Sequence, residues 1–475
     1  MLVSRVNEVE VLRSAALRDE AQFVAVYGRR RVGKTFLVKE VFDNSFTFQH
    51  AGLANGTKRE QIASFCDSLR RAGLEDFKEP VDWMGAFELL KDLIERSDDN
   101  RKVVFIDELS WMDRRQSKLI PALESFWNGW GSGRKDLLLI VCASATSWMM
   151  DKIIHNKGGL YNRLTAQIHL RPFTLAECEE YLQVNGIVMN RQEILEGYMI
   201  FGGIPYYWSH VRRGLSLSQN IDAMFFAQDS PLRREFEYLY ASLFSKPDSY
   251  IAIVTALGKK KVGLRREEIL RATGIDDSGS LTRKLGDLEN CDFIRSYTCF
   301  GKKKKDTIYQ LIDNFTLFHF RFLAQRSTDE HYWSNQVNTP ARNTWCGLAF
   351  ERVCLQHIAQ IKSKLGISGV LSEVHSWYCR EDPDKGLFGS QADLLIVRRD
   401  QVINVCELKY SSAEYTFTKK DDEAMRNRIS DILTVTGTHY ALHPTLVTTY
   451  GMRKSQYWGT VQAVIIGDDL FRTFN

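Results

Sequence analysis

The chain has 475 residues, of which 44% are hydrophobic and 26% charged, so it has the composition of a globular protein of about three domains and not of a disordered or fibrous one. Its net charge is only +4, so any surface that binds nucleic acid has to be local. The nine cysteines include no C-x-x-C pair, which argues against a zinc ribbon. No apolar run reaches the ~20 residues of a membrane helix, and the N-terminus is charged where a signal peptide is apolar, which argues against a membrane protein and a secreted protein. These features predict a cytoplasmic protein.

The first predicted strand, residues 23–27, is followed by a loop and then by a helix. The loop has the pattern G-x-x-x-x-G-K-T and consists of Gly28, Arg29, Arg30, Arg31, Val32, Gly33, Lys34 and Thr35. The two glycines let backbone amides point at a β-phosphate, at the positive end of the helix that follows. Lys34 would reach the β- and γ-phosphates, and Thr35 would supply a hydroxyl to Mg²⁺. The pattern predicts an ATP site that also uses Mg²⁺.

A second buried strand ends in the acidic pair Asp107 and Glu108. Two carboxylates at the end of a buried strand are costly unless they meet a metal ion or a polar ligand. Asp107 would hold Mg²⁺ through water, and Glu108 would polarise the water that attacks the γ-phosphate. The alternative is a carboxylate that only caps the next helix.

A third strand, residues 137–142, leads into a polar tip. We choose Ser144 over Ser147 as the residue that contacts the γ-phosphate or the lytic water. Arg163 stands just before a fourth strand, residues 167–170, where it could act as an arginine finger on a neighbouring subunit of a homo-oligomer. The alternative is an arginine in a salt bridge, which permits a monomer.

This order of motifs resembles the archaeal-type ATPases, which belong to the signal-transducing (STAND) branch of the AAA+ superfamily. Residues 4–8, SRVNE, resemble the family's Gly-Arg-x-x-Glu with serine in place of glycine, and residues 202–205, GGIP, resemble its GG-x-P stretch. The resemblance covers about residues 1–215. It implies a P-loop core with an AAA+-like parallel sheet over residues 1–170 and a helical lid over residues 171–245.

Three short helices and a strand hairpin are predicted within residues 246–335. This order is typical of a winged helix-turn-helix, and residues 258–305 contain 13 Lys and Arg against 7 Asp and Glu. The predicted hairpin tip contains Lys302, Lys303, Lys304 and Lys305. We therefore expect the third helix to enter a DNA groove and the lysines to contact phosphates. The alternatives are a lid extension or a protein contact.

The last domain, residues 340–475, is predicted as α-β-β-β-α-β, with its first helix over residues 345–365. Asp393 begins one strand, and Glu407 and Lys409 lie on one face of the next. Two carboxylates and a lysine at one sheet edge suit Mg²⁺-dependent phosphodiester cleavage, in which Asp393 and Glu407 hold the metal ion and Lys409 orients the nucleophile. Glu351, in the preceding helix, could complete the metal site.

This arrangement resembles the PD-(D/E)-x-K nuclease superfamily, with alanine at the proline position before Asp393, and the domain is similar to the restriction-endonuclease-like domain fused to archaeal-type ATPases. The resemblance implies a multidomain α/β protein in which ATP binding and hydrolysis control DNA binding and DNA cleavage. One alternative is a non-cutting, ATP-dependent DNA-binding or scaffolding regulator with an inactive nuclease fold. Another is a chaperone-like or signalling ATPase with a protein ligand.

Overall fold

The computed structural model describes residues 2–244, 246–276, 279–301, 306–325 and 327–473. The chain divides into two compact units, Met1–Pro172 and Phe173–Asn475. All nine cysteines are free thiols. In the ranges described, no helix is both long enough and apolar enough to cross a bilayer.

The first unit is built around one five-stranded sheet. Its strands are β1 (Gln22–Tyr27), β2 (Phe48–Ala51), β3 (Lys102–Asp107), β4 (Leu137–Ala143) and β5 (Ala166–His169). Its helices are α1 (Val6–Leu17), α2 (Lys34–Val41), α3 (Lys58–Arg71), α4 (Trp83–Arg96), α5 (Leu109–Met112), α6 (Leu119–Gly129) and α7 (Thr146–Met149). The strands run parallel in the order β2-β3-β4-β1-β5. This sheet confirms the predicted parallel core, although β2 was not predicted.

The sheet positions the candidate nucleotide site. All seven residues of β4 are buried, as expected of a central strand covered on both faces by helices. The carboxyl ends of β1, β3 and β4 lie side by side at one edge because the three strands are parallel neighbours. The loop after β1, the acidic pair after β3 and the polar tip after β4 therefore meet at that edge.

The second unit contains twelve helices and twelve strands within its described residues. The helices are α8 (Leu175–Val184), α9 (Arg191–Phe201), α10 (Pro205–Trp208), α11 (Leu217–Ile221), α12 (Glu235–Leu243), α13 (Pro247–Gly258), α14 (Arg266–Thr273), α15 (Gly279–Asn290), α16 (Asn314–Phe318), α17 (Pro340–Gln356), α18 (Ile358–Lys364) and α19 (Lys419–Thr436). The strands are β6 (Leu264–Arg265), β7 (Ile294–Tyr297), β8 (Ile308–Leu311), β9 (Ser372–Tyr378), β10 (Glu381–Asp382), β11 (Leu387–Phe388), β12 (Gln391–Arg398), β13 (Val402–Lys409), β14 (Tyr415–Thr416), β15 (Ala441–Thr448), β16 (Met452–Arg453) and β17 (Ala463–Ile466).

The helices α13, α14 and α15 are followed by the strands β7 and β8, which is the predicted order of three helices and a hairpin within residues 246–335. A short third strand, β6, pairs with β8 and completes a three-stranded antiparallel sheet in the order β6-β8-β7. We call residues 247–311 the three-helix module. The predicted lysine cluster at the hairpin tip (Lys302, Lys303, Lys304 and Lys305) lies outside the described residues.

The C-terminal part of the second unit is a five-stranded mixed sheet in the order β17-β15-β13-β12-β9. Strand β12 runs antiparallel to β13, and α19 connects β13 to its parallel neighbour β15. The order of the main elements is the predicted one. The single helix predicted over residues 345–365 is wrong, because the chain leaves the helical conformation at His357, between α17 and α18. The buried His357 ring contacts the carbonyl oxygen of Val353 through Nδ1, and the backbone amide of Leu175 through Nε2.

Candidate nucleotide site and candidate metal centre

The loop between β1 and α2 needs its two glycines. Gly28 has a φ of +143°, and a Cβ atom there would lie 2.2 Å from the carbonyl oxygen of Leu170. Gly33 has a φ of +93° at the start of α2, with no atom within 4 Å of a Cβ built on it. The open space beside Gly33 and the backbone amides at the start of α2 suit the binding of phosphate oxygens.

Lys34 is buried inside this loop. Its Nζ atom donates hydrogen bonds to the carbonyl oxygens of Gly28 (2.9 Å) and Arg29 (3.1 Å) and to Oγ of Ser144 (3.0 Å). A buried ammonium is costly unless oxygen atoms surround it, and phosphate oxygens satisfy the same requirement. The ammonium therefore lies between the phosphate loop and the tip of β4.

Thr35 and Asp107 provide two oxygen ligands side by side. The Thr35 hydroxyl donates a hydrogen bond of 2.5 Å to Oδ2 of Asp107. Hydroxyl and carboxylate oxygens are donors that Mg²⁺ accepts, usually together with water and substrate phosphates. The two side chains fit a Mg²⁺ ion bound with a nucleotide, and this ion would neutralise charge on the phosphates.

Ser144 connects Lys34 to Glu108. Its hydroxyl accepts from Lys34 and donates to Oε1 of Glu108, and its backbone amide donates to Oε2 of Glu108 (3.2 Å). Glu108 itself has a φ of +46° at the start of α5. The sequence singled out all three residues, but it gave no sign that Ser144 holds the Glu108 carboxylate.

The other residues predicted for the nucleotide site are the remaining side chains of the phosphate loop and Arg163. Arg29 and Val32 are buried, and the Arg30 guanidinium lies 5.7 Å from the ring centroid of Trp111. Arg31 has a φ of +73° within the phosphate loop. Arg163 is exposed in the turn before β5. Their roles toward nucleotide stay predictions.

The two predicted metal-binding carboxylates lie on neighbouring strands of the C-terminal sheet. Leu394 of β12 pairs with Cys406 of β13, and Asp393 and Glu407 are the residues that adjoin this pair. The pairing of β12 with its other neighbour, β9, shifts register between Ala392 and Leu395. The sequence predicted both strands, and the structure adds that they are neighbours.

Lys261 from the three-helix module lies against two of these carboxylates. Its Nζ atom is 2.6 Å from Oε1 of Glu351 and 3.8 Å from Oδ1 of Asp393. Burial, followed by the nearby Asp393 charge, raises the pKa of Glu351 to about 7, and Lys261 moderates this rise. Asp393 also accepts a hydrogen bond of 2.8 Å from the Gln391 amide.

Glu407 has two different cationic partners. Its carboxylate lies 2.8 Å from Nζ of Lys409 and 2.6 Å from the guanidinium of Arg428, in α19. Burial by itself would raise the pKa of Glu407, but the charges of Arg428 and Lys409 hold it below its ordinary value. Sequence reasoning missed Arg428, although it follows the buried Met425 by three residues and precedes the buried Ile432 by four, which sets it on the inner face of α19.

The carboxylates do not fit a divalent ion in this arrangement. Lys261 bridges Glu351 and Asp393, while Lys409 and Arg428 engage Glu407. Over the ranges that the structure describes, no group of three or more His, Cys, Asp or Glu side chains is arranged to hold a metal ion. The predicted residues therefore occur in two sets of ion pairs, one around Lys261 and one around Glu407.

Comparison with known proteins identifies the N-terminal part of the chain. Residues 2–211 match the family model described as "ATPase domain predominantly from Archaea". An uncharacterised protein of Methanocaldococcus jannaschii is 24% identical over 427 residues, which is 88% of this chain and 90% of that protein. An uncharacterised ATP-binding protein of the same organism is 43% identical over 44 residues, or 9% of this chain and 75% of that protein. The chain therefore contains an ATPase domain of the archaeal type.

Two solved structures are similar to this chain at low identity. A Walker-type ATPase of Pyrococcus abyssi has a TM-score of 0.46 and 16% identity, with 68% of this chain and 96% of that chain covered. The ORC2 protein of Aeropyrum pernix, in its ADPNP-ADP complexes, has a TM-score of 0.41 and 14% identity, with 68% of this chain and 93% of that chain covered.

Proposed function

We propose that this protein is an ATP-dependent switch whose C-terminal domain cuts DNA with Mg²⁺. The ATPase domain would bind and hydrolyse ATP, and the nucleotide state would control DNA binding and cleavage by the second unit. The observation that carries the proposal is that the neighbouring strands β12 and β13 pair at Leu394 and Cys406, next to Asp393 and Glu407.

In the ATPase domain, Lys34 would hold the β- and γ-phosphates, and Thr35 and Asp107 would hold Mg²⁺. Glu108 would orient the water that attacks the γ-phosphate. Ser144 supports this assignment because it contacts both Lys34 and Glu108. Loss of the γ-phosphate from Lys34 would therefore alter the hydrogen bonds of Ser144 and, through them, the position of the Glu108 carboxylate.

In the C-terminal domain, Asp393, Glu407 and Glu351 are the proposed ligands of the metal ion, which they could hold only after their ion pairs with Lys261 and Arg428 are broken. Burial by itself would lower the pKa of Lys409, but Glu407 raises it above its ordinary value, so the ammonium stays charged. A charged ammonium beside these carboxylates suits stabilisation of a phosphate at which negative charge develops.

The three-helix module is proposed as a winged helix-turn-helix that contacts DNA. Its order of helices and its antiparallel sheet support this assignment, as does the excess of Lys and Arg over Asp and Glu in residues 258–305. Contacts with phosphates predict that DNA affinity falls steeply with rising salt concentration.

The test is incubation of supercoiled plasmid and single-stranded DNA with the protein, Mg²⁺ or Mn²⁺, with and without ATP. We expect Asp393→Ala and Lys409→Ala to remove nicking and to retain the rate of ATP hydrolysis. Asp400→Ala is a matched control, because Asp400 lies in the turn between the same two strands and pairs with Arg398. Nicking that survives in Asp393→Ala would show that the site lies elsewhere.

A second function is favoured by one observation, the ion pair of Lys261 with Glu351. A lysine at this position suits a nuclease fold that no longer binds metal and serves as an ATP-dependent DNA-binding regulator. This alternative predicts salt-dependent retention of DNA without nicking under any of the conditions above. A chaperone-like or signalling ATPase with a protein ligand predicts no salt-dependent retention of DNA.

A further inference from the structure

We propose that Gln61 of α3 is a positioning residue for ATP hydrolysis, because its side-chain amide holds the backbone turn that carries Glu108. This inference rests on the proposed function, in which Glu108 orients the attacking water, and adds the residue that keeps Glu108 in place. Gln61 would act through Glu108 and not on the nucleotide itself.

The first observation is the backbone conformation of Glu108. This residue lies between β3 and α5 with a φ of +46°, in the left-handed region that residues with a Cβ atom rarely adopt. Such a conformation persists only where the surrounding structure holds it. Ser144 holds the carboxylate of Glu108, but its hydrogen bonds leave the support of the backbone to other residues. We call residues 108–111 the Glu108 turn.

The second observation is the set of hydrogen bonds that Gln61 makes. Its side chain is fully buried, and its Nε2 atom donates to the carbonyl oxygens of Leu53 (2.6 Å) and Trp111 (3.1 Å). Its Oε1 atom accepts a hydrogen bond of 2.9 Å from the Leu53 amide. The backbone amide of Trp111 in turn donates to the carbonyl oxygen of Glu108 (2.8 Å). One buried amide therefore joins the loop after β2 to the Glu108 turn.

The third observation is the close approach of the loop after β2 to the same turn. The amide of Gly52 donates to the carbonyl oxygen of Asp107 (3.0 Å), and a Cβ atom on Gly52 would lie 2.7 Å from the carbonyl oxygen of Glu108. The next residue is Leu53, which Gln61 holds at both its amide and its carbonyl group. Gln61 therefore fixes the loop against the turn, and loss of its amide would loosen both.

This support has a specific consequence for hydrolysis. A group that orients a reacting water must be placed accurately, since a displacement of ~1 Å can slow a reaction by about 100-fold. The residues proposed to hold the phosphates, Lys34 and Thr35, belong to a different segment, at the start of α2. Loss of the Gln61 amide should therefore slow the hydrolysis of bound ATP and retain the binding of ATP.

The test compares Gln61→Met with Ser68→Ala in the full-length protein by steady-state ATP hydrolysis. Methionine has nearly the length of glutamine but lacks its amide, whereas Ser68 is a buried polar residue of the same helix that contacts His50 and Arg71. We expect Gln61→Met to lower kcat by about 10-fold and to change KM for ATP by less than about 2-fold. Ser68→Ala should keep the wild-type kcat. A wild-type kcat in Gln61→Met, or an equal loss in both variants, would overturn the inference.

Gly52→Ala tests the same turn without altering Gln61. The new methyl group would press on the carbonyl oxygen of Glu108, so kcat should again fall by about 10-fold. Gly129→Ala is its control, because a Cβ atom there would meet no atom within 4 Å. This pair carries the test of the turn if Gln61→Met is unfolded at the assay temperature. A wild-type kcat in Gly52→Ala would show that the position of the turn does not set the rate, which also overturns the inference.

Hydrogen exchange of the peptide that contains Trp111 measures the turn independently of hydrolysis. We expect this peptide to exchange roughly 5-fold faster in Gln61→Met than in Ser68→Ala, the effect of losing one hydrogen bond. Equal exchange in the two variants overturns the inference, whatever their rates of hydrolysis. If the exchange differs as expected but the wild type hydrolyses no ATP, the support of the turn by Gln61 stands and the proposed hydrolytic function is overturned.

Discussion

The ammonium of Lys34 donates a hydrogen bond of 3.0 Å to the hydroxyl oxygen of Ser144, at the tip of the neighbouring strand. The bond joins the phosphate loop to the residue that also holds the Glu108 carboxylate. A γ-phosphate that draws Lys34 toward itself would alter the surroundings of Ser144 and, through it, those of Glu108. The predictions for the ATPase domain follow from this chain of contacts.

Replacement of Lys34 by alanine should weaken ATP binding by roughly 100-fold, the effect of losing a charged hydrogen-bond donor to phosphate. The measurement is titration with a fluorescent ATP analogue, together with the increase in melting temperature that ATP causes. Lys135→Ala is the control, because Lys135 is an exposed lysine of the same unit. Equal ATP affinities of the two variants would contradict the assignment of Lys34.

Replacement of Glu108 by glutamine should slow ATP hydrolysis by roughly 100-fold or more while ATP still binds, because the amide cannot accept a proton from the attacking water. Phosphate release under saturating ATP measures the rate. Glu88→Gln is the control, since Glu88 is an exposed carboxylate that pairs with Lys91 in its own helix. Unchanged hydrolysis in Glu108→Gln would exclude Glu108 as the group that orients the water.

Arg163 should act on the site of a neighbouring subunit. We expect Arg163→Ala and Glu108→Gln each to be slow at ATP hydrolysis by itself, and a mixture of the two to recover part of the wild-type rate. In the mixture, a site that keeps Glu108 receives Arg163 from its Glu108→Gln neighbour. A mixture no faster than its components, or an Arg163→Ala variant with the wild-type rate, would contradict a finger in trans.

Replacement of Gly203 by alanine should destabilise the second unit by on the order of 3 kcal/mol. A Cβ atom at this position would lie 1.8 Å from the carbonyl oxygen of Phe173, whose amide in turn donates to the carbonyl oxygen of Gly203. Thermal unfolding measures the change. Gly286→Ala in α15 is the control, because its Cβ would meet no atom within 4 Å and alanine favours a helix. Equal melting temperatures would show that the chain relaxes around the new methyl group.

Stability should fall as the pH is lowered from about 6.5 to about 4 because buried histidines must become charged. Burial lowers the pKa of His357 to about 4, so its neutral form contributes fully to stability above pH 6.5 and this contribution is lost as the pH falls toward 4. Protonation of Nε2 would also break the hydrogen bond from the Leu175 amide. The shift corresponds to about 3 kcal/mol in the free energy of unfolding.

The measurement is urea unfolding between pH 7 and pH 4 for the wild type and His357→Asn. The variant is expected to lose less stability across this range, even if it is less stable at pH 7. His331→Asn, at an exposed histidine, should keep the wild-type dependence. The same pH dependence in all three proteins would contradict a buried neutral His357.

Much of the ATPase domain was predictable because the residues proposed to bind the nucleotide lie in short, contiguous segments of the sequence. The phosphate loop needs two glycines, a lysine and a threonine within eight residues; in the structure both glycines have positive φ values, Lys34 contacts Ser144 and Thr35 contacts Asp107. The helical break at His357 was not predictable in the same way. The periodicity of residues 345–365 favours one helix, and the break involves a contact with Leu175, far away in the chain.

The sequence by itself determined most of the main elements, their order and the identity of the candidate side chains, because local backbone preferences and hydrophobic periodicity act over a few residues. Only the tertiary structure decided which of those side chains meet. Glu108 contacts Ser144, Glu407 contacts Arg428, and Glu351 contacts Lys261. Such pairs depend on strand register and on how separate modules pack. A buried charge is costly unless it is paired, and the packing decides which oppositely charged side chain lies close enough to pair with it.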